Sequence, residues 1–315
     1  MKFQTIAASD DLTQNMVQEI LKYSPLLASY IEFFKKPGTA VSVRSGGTKS
    51  GIVGASRALG SDYSAKTVAP TYKTALRKLL GDTVKIDVAY ERMGYDLASE
   101  MTSQLTQRMR DYGTIFNYML INGNSKSEGA KEFAGLKELC LDNQKTVAAT
   151  NGFSLTLGNS DAAKKQQQGF LELLDEAIGR CQGINKVIIA NAKVKARINA
   201  IAREYINVER NVFGVPVAFY NTIPIIDIGD YEKAKDTYSP VIDFTETCGT
   251  SNDCTSLYVA SFEEEQGVSF ATCEGGFTVY PVQKNGNFLE STFELIADSV
   301  LVRGSALSKL EGLKL

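Results

Sequence analysis

Catalysis needs particular side chains at particular spacings, and this chain offers few such sets. Its 315 residues include no histidine, which removes the Ser-His-Asp triad, the Cys-His pair, the imidazole metal site and the one side chain that titrates near neutrality unaided. Carboxylates remain: Glu263, Glu264 and Glu265 stand in a row and could supply an acid and a base. A run of adjacent acids reads first, however, as a solvated turn after a strand. The five cysteines, Cys140, Cys181, Cys248, Cys254 and Cys273, are odd in number and widely spaced, with no Cys-x-x-Cys pair, so neither a zinc ribbon nor a disulfide framework is expected. Cys248 and Cys254 could meet across a loop, but free or buried thiols are the default. Gly46-Gly47-Thr48-Lys49-Ser50 superficially resembles a phosphate-binding loop. That loop needs glycine directly before the lysine and another five positions earlier, where Thr48 and Val43 stand. The chain is therefore expected to be no enzyme and to carry no cofactor or metal.

A second set of candidates could make contacts rather than reactions. Between residues 39 and 73 the charged residues are Arg44, Lys49, Arg57, Lys66 and Lys73, with Asp62 the one acid. Surrounded by glycine and small polar residues, Arg44, Lys49, Arg57 and Lys66 suit an acidic or polar surface on another molecule, where each exposed ion pair is worth about 0.2–1 kcal/mol. Alternation around Val41 and Val43, and again near Val68, predicts a long two-stranded hairpin. Segments of this length outside a core are generally functional or unstructured, and a protruding interaction arm is the expected use.

Such an arm needs a rigid body to carry it, and the stretch 94–136 supplies the main element. Ala98, Met101, Leu105, Met109, Tyr112, Phe116 and Met119 recur at steps of three and four, which predicts one amphipathic helix over 96–121. Asp96 is placed to cap its start and Asn122-Gly123 to give a left-handed stop. Glycines at 123, 129 and 135 predict a polar loop folding back onto the helix end. Residues 1–36 hold a helical stripe (Leu12, Met16, Ile20, Tyr23) and an aromatic-rich end that must pack on its own domain or on a neighbouring subunit. TVKIDVAY, 83–90, alternates as a half-buried strand leading into the helix. Beyond Leu136 the pattern is mixed: a helix over 161–181, a buried strand at 186–190, a further helix capped by Asn191, and strands around VPVAFY, IPIIDIG, SLYVASF, GVSFATC and FTVYPV. A polar loop is expected at 230–256, a long extended segment at 288–303, and a short tail after it.

The length allows one large or two moderate domains. An apolar content of 43% and a charged content of 22% are ordinary for a globular protein. No apolar run approaches the roughly 18 residues of a spanning helix, and no secretory signal is visible, so a cytoplasmic protein without membrane contact is expected. A formal net charge of −2 lacks the basic excess of a dedicated nucleic-acid binder.

In the order of its pieces, the chain resembles the major capsid protein of tailed bacteriophages, the Hong Kong 97-like α+β fold shared with encapsulin shells. The resemblance rests on a terminal arm, the glycine-rich basic hairpin at 39–73, the strand feeding the long helix and the loop INGNSKSEGAKEFAGL with Gly123, Gly129 and Gly135-Leu136. VIIANAKVKARINAIARE, followed by Gly214 and Pro216, matches the segment before the family's central strands, and FLESTFELIADSVLVRGSALSKLEGL its closing strand and tail.

This resemblance implies an N-terminal arm at 1–38, an E-loop hairpin at 39–73, a peripheral domain at 74–140 with spine helix 96–121, an axial domain at 141–284 and a return to the peripheral domain at 285–315. An arm and hairpin that one subunit cannot bury would be buried between subunits. The implied function is self-assembly as hexamers and pentamers into an icosahedral shell around double-stranded DNA, in the virion after assembly in the host cytoplasm. A separate scaffolding protein and a portal are implied partners, a decoration protein is a further one, and contact with packaged DNA would be non-specific. Some members cross-link a hairpin lysine to a neighbour's asparagine; Lys49 and Lys66 are the lysines available, but residues 291–315 contain no asparagine. The alternatives are an encapsulin-type compartment holding enzyme cargo and, from another class, a carboxylate-dependent enzyme using Glu263, Glu264 and Glu265.

Overall fold

A computed structural model describes residues 1–7, 9–45, 57–62, 71–126, 131–210 and 216–315. The long helix forms over Leu97–Asn122, and the Asp96 carboxylate accepts the Ala98 N–H at 3.1 Å as its cap. Met101, Leu105, Met109, Tyr112, Phe116 and Met119 face inward as their spacing requires, but Ala98 is exposed and Leu97 takes its place in the core. The helix end differs in mechanism from the expected left-handed stop, because Gly123 has φ −52°. Glycine is needed there for close approach: a Cβ would lie 2.4 Å from the Phe133 carbonyl oxygen. Gly135 mirrors it, with its N–H bonded to the Gly123 carbonyl at 2.8 Å and a Cβ position 2.5 Å from the Ile121 oxygen. The loop thus folds back onto the helix through two backbone surfaces in contact, while Gly129 lies outside the described residues.

One side of the helix packs on a five-stranded sheet. Its order is Phe33–Lys35, Val268–Val279, Phe288–Leu301 and Gln283–Asn285, with Lys78–Asp87 along the free side of Phe288–Leu301. The expected strand at 83–90 begins earlier and ends at Asp87, and Tyr90 is exposed in a short helical turn, Ala89–Arg92. GVSFATC and FTVYPV, expected as two strands, fall in one, its ladder interrupted between Thr272 and Phe277. At the helix midpoint Asp11–Tyr23 crosses closely, since a Cβ on Gly113 would stand 3.2 Å from the Ile20 carbonyl.

The N-terminal residues are not a free arm. Phe3, Phe33 and Phe34 are fully or almost fully buried in their own chain, and Phe33–Lys35 pairs in parallel with Phe270, Ala271 and Thr272. Phe3 packs on Phe33 and Phe277, and Phe270 touches Phe33, Phe116 and Phe133, with ring centroids 5.2–5.8 Å apart. Burial of this aromatic cluster, at about 25 cal/mol per Å² of apolar surface, is what fixes Phe3 and Phe33–Lys35 to the rest of the chain.

A second sheet of nine strands runs Lys145–Val147, Leu307–Lys314, Ser251–Ser261, Lys186–Ala190, Ile223–Asp227, Pro216–Tyr220 and Ile206–Arg210, with Phe153–Ser154 and Glu246–Cys248 at its margins. Helices Asp161–Arg180 and Ala192–Ile201 lay Phe170, Leu174, Ala177, Val194 and Ile198 into the core they share with it. Asn191 caps the second helix through the Val194 N–H at 2.8 Å and donates to Ile242 and Thr255. The region 230–256 is not simply loop, since Asp230–Ala234 pairs with Thr237–Pro240. The segment 285–315 is divided: Phe288–Leu301 lies in the first sheet, whereas Leu307–Lys314 is an interior strand of the second. Among the described residues no helix is long and apolar enough to cross a membrane.

Candidate assembly surfaces

The first strand of the hairpin forms as the alternation at Val41 and Val43 requires, Val68 lies outside the described residues, and the returning strand runs past 73 to Leu76. Ala40–Ser45 and Thr71–Leu76 pair antiparallel from Ala40↔Leu76 to Ser45↔Thr71. Val41, Val43 and Ala75 point down onto Phe34, Ala271, Val300 and Val302, so the base of the hairpin belongs to its own subunit's core. The other face is open: Tyr72 is 63% exposed, Leu76 58% and, on the next strand, Leu79 67%. Arg44, on Ala40–Ser45, sits exposed opposite Tyr72. Arg57, also exposed, donates to the Ser61 carbonyl at 3.0 Å. Lys49 and Lys66 lie outside the described residues, so the structure places two of the four basic candidates and brings no pair of them together.

Residues that the sequence reading did not single out hold the root of the hairpin. Arg77 breaks the run between Thr71–Leu76 and Lys78–Asp87, and its guanidinium donates to the carbonyls of Lys36, Gly38 and Thr272. Its own N–H bonds the Thr39 carbonyl at 3.1 Å. Lys73 reaches the Leu301 carbonyl, and burial lowers its pKa. Asp298 accepts the Leu76 N–H at 2.8 Å and the Ser299 N–H at 3.0 Å. Burial pushes the Asp298 carboxyl up to about 6, against the opposing pull of those two N–H groups. The available signal was a lone aspartate inside an apolar strand, ELIADSVLV, and a charged pair, Arg77-Lys78, between two alternating segments.

The carboxylate row is dispersed among structural partners. Glu263 accepts from the Ile184 N–H and from Ser261 at 2.7 Å and pairs with Arg303 at 3.3 Å. Glu264 binds the Met1 ammonium at 2.9 Å, and Glu265 pairs with Lys36. Three adjacent acids thus tie down three different elements and do not face one cleft. Cys140, Cys181 and Cys254 are buried free thiols, while Cys248 and Cys273 are partly exposed. At the start of the long helix a groove of about 580 Å³ opens between Leu12, Val282 and Leu289, with the buried Leu97, Met101 and Leu105 at its floor.

Exposed apolar side chains beside a hairpin whose base is buried in its own core, together with a groove with apolar walls, are features of surfaces that contact other molecules. Comparison with known proteins agrees. Similar solved structures include the SrpI encapsulin of Synechococcus elongatus PCC 7942, at 14% identity over 93% of this chain and 89% of that one with a TM-score of 0.61. The capsid of Myoviridae phage XM1 is 11% identical over 90% of each chain with a TM-score of 0.53. Mycobacterium phage Bobi gives 11% over 91% and 89% with a TM-score of 0.54. At these identities the likeness concerns the fold, the α+β phage capsid, Hong Kong 97-like fold. No curated protein sequence matches the chain. A family model described as SU10 major capsid protein matches residues 5–234, and the chain therefore belongs to the SU10 major capsid protein family.

Proposed function

We propose that copies of this chain assemble as hexamers and pentamers into a closed icosahedral shell around a double-stranded DNA genome. The observation that carries this reading is the hairpin: its base is core, while Tyr72 and Leu76 on its returning strand, and Leu79 just beyond it, are apolar side chains left exposed. A second subunit lying on them would bury them. Arg44, Lys49, Arg57 and Lys66 then meet acidic or polar groups across the boundary. Each such contact is weak, but in a closed shell every copy repeats it, and the sum decides assembly. On this reading the first sheet with the long helix is the peripheral domain, the nine-stranded sheet with its two helices is the axial domain, and residues 39–73 are the E-loop. Assembly takes place in the host cytoplasm with a scaffolding protein and a portal, a decoration protein is a further partner, and packaged DNA meets the inner surface through scattered charge without base readout. We assign no catalytic step.

The similarity to the SrpI encapsulin supports a second reading, a compartment of the same fold that holds protein cargo. Electron microscopy of the purified assembly, with its nucleic-acid and protein content measured, separates the two. Replacing residues 46–65 with a short Gly-Ser turn is expected to leave a soluble, folded subunit that forms no stable shell. Unchanged shell yield after that replacement would overturn the assembly role of the hairpin.

A further inference from the structure

Cys248 and Cys254 flank the turn CGTSNDC at the tip of a small hairpin on the second sheet. Glu246–Cys248 runs antiparallel to the start of Ser251–Ser261, with Glu246 opposite Cys254 and Cys248 opposite Ser251, and the ladder is irregular between these pairs. Cross-strand partners share a face and so do alternate residues, which places the two cysteines diagonally on one face. The Cys254 thiol is near enough to Cys248 to raise its pKa.

Two glycines leave room for the sulfurs there. Gly152 (φ +86°) and Gly312 (φ +83°) have backbone conformations that favour glycine, and each faces one of the sulfurs where a side chain would begin. A Cβ on Gly152 would stand 2.9 Å from the Cys254 Sγ, and one on Gly312 would stand 3.3 Å from the Cys248 Sγ. The turn itself is pinned, with the Thr250 N–H donating to the Asn151 side chain at 3.1 Å and the Ser251 hydroxyl to the Asn151 carbonyl at 2.7 Å. The thiols therefore meet on a constrained scaffold, and Cys248 is partly open to solvent while Cys254 is buried.

We propose that Cys248 and Cys254 are a redox pair that closes into an intrachain disulfide by exchange with a small external disulfide such as oxidised glutathione. The Cys248 thiolate attacks one glutathione sulfur and releases the first glutathione as a thiolate, giving a mixed disulfide. The Cys254 thiolate then attacks the Cys248 sulfur and releases the second. Two protein thiols are oxidised, one external disulfide is reduced to two thiols, and the two protons pass to the released glutathiones. Burial, the neighbouring Cys254 thiol and the nearby Glu311 and Glu246 push the Cys248 thiol up to about 11. Lys309 bonds both of those carboxylates, at 2.9 Å to Glu246 and 3.3 Å to Glu311, and Lys314 pairs with Asp253 at 3.0 Å. The first attack is therefore slow near neutrality and gains about tenfold per pH unit as the thiolate fraction grows.

The test uses the full-length folded protein, incubated with oxidised glutathione at about pH 8.5, quenched in acid, unfolded, alkylated and digested, because alkylation marks every thiol still free. The expected product is a peptide linked between Cys248 and Cys254, with Cys140, Cys181 and Cys273 alkylated. C254S lacks the resolving thiol and should accumulate glutathione on Cys248, which the wild type should not. Alkylation of all five cysteines, a link joining any other pair, or equal glutathione adduct on wild type and C254S would overturn the proposal.

Discussion

Replacing Asp298 with asparagine isolates one buried charge at the root of the hairpin. Asp298 is 8% exposed, and its carboxyl is raised from 3.8 to about 6, chiefly by burial. That difference is roughly two pKa units, or about 3 kcal/mol at 1.36 kcal/mol per unit. The folded-state value lies above the unfolded one, so between about pH 4 and 6 the folded chain keeps a proton that the unfolded chain has lost. Unfolding then releases a proton, stability falls as pH rises through this window, and the full penalty is in place above it. Asparagine does not titrate, and its carbonyl can still accept the Leu76 N–H. The difference in unfolding free energy, D298N minus wild type, should therefore rise by about 2 kcal/mol between pH 4 and pH 7. Urea unfolding of the unassembled subunit at several pH values measures it, and using the difference cancels the carboxylates common to both proteins. A difference that stays flat across the window, or that falls, would refute the argument that burial dominates at this site.

Two further outcomes follow from close contacts. R77A removes the guanidinium from the Lys36, Gly38 and Thr272 carbonyls and should cost about 2–4 kcal/mol at the hairpin root, since bonds to a charged group are worth about 1.5–3 kcal/mol each and the freed carbonyls regain water only in part. Hydrogen exchange should accelerate at Leu76 and residue 77 while the long helix stays protected, and unchanged exchange at the root would count against the clamp. G135A forces a Cβ to within 2.5 Å of the Ile121 oxygen and 2.7 Å of the Gly123 nitrogen, both backbone, and should lower stability by about 2–4 kcal/mol. Gly179 has nothing within 4 Å of its Cβ position, so G179A on a helix should instead gain up to about 1 kcal/mol, and thermal unfolding of both variants checks the contrast.

What was legible in the sequence was what local physics decides. Asp96 and Asn191 cap helices because a short polar side chain can reach the orphan N–H groups two or three residues on, and Lys186–Ala190 is a buried strand because its apolar run is short and bounded. Of the assembly surfaces, the hairpin strands were visible through Val41 and Val43, whose burial the alternation predicts. The root was not, because Arg77 and Asp298 gain their meaning from partners far along the chain, Thr272 and Leu76. The tail misled for a related reason. Ser308 and Lys309 look like surface residues, yet both are buried, and Lys309 is held by Glu246 and Glu311. Gly275 and Gly276 looked like a break between strands and instead sit at an irregularity inside one. The aromatic N-terminal segment carries no sign of its destination, because its partner strand begins at Val268.

The route of the chain between the two sheets bears on how the subunit acquires its shape and how it would lose it. Strands at Phe33–Lys35 and Lys78–Asp87 belong to one sheet; those from Lys145–Val147 to Ser251–Ser261, apart from the separate hairpin of Asp230–Ala234 and Thr237–Pro240, to the other; Val268–Val279 and Phe288–Leu301 to the first again; and Leu307–Lys314 to the second. Lys35 meets Thr272, Asp87 meets Phe288, and Thr146 meets Leu310, so both sheets wait for partners more than a hundred residues away. Loop-closure entropy must be met before those pairings return anything, which makes folding slow and leaves strand edges open in the interval. The same interlacing works in the opposite direction once the sheets are closed. Besides the short connections 262–267 and 302–306, the sheets share one apolar core, with Phe270 and Leu295 of the first packed in the same cluster as Tyr258 and Leu307 of the second, so detaching one sheet would expose the apolar face of the other.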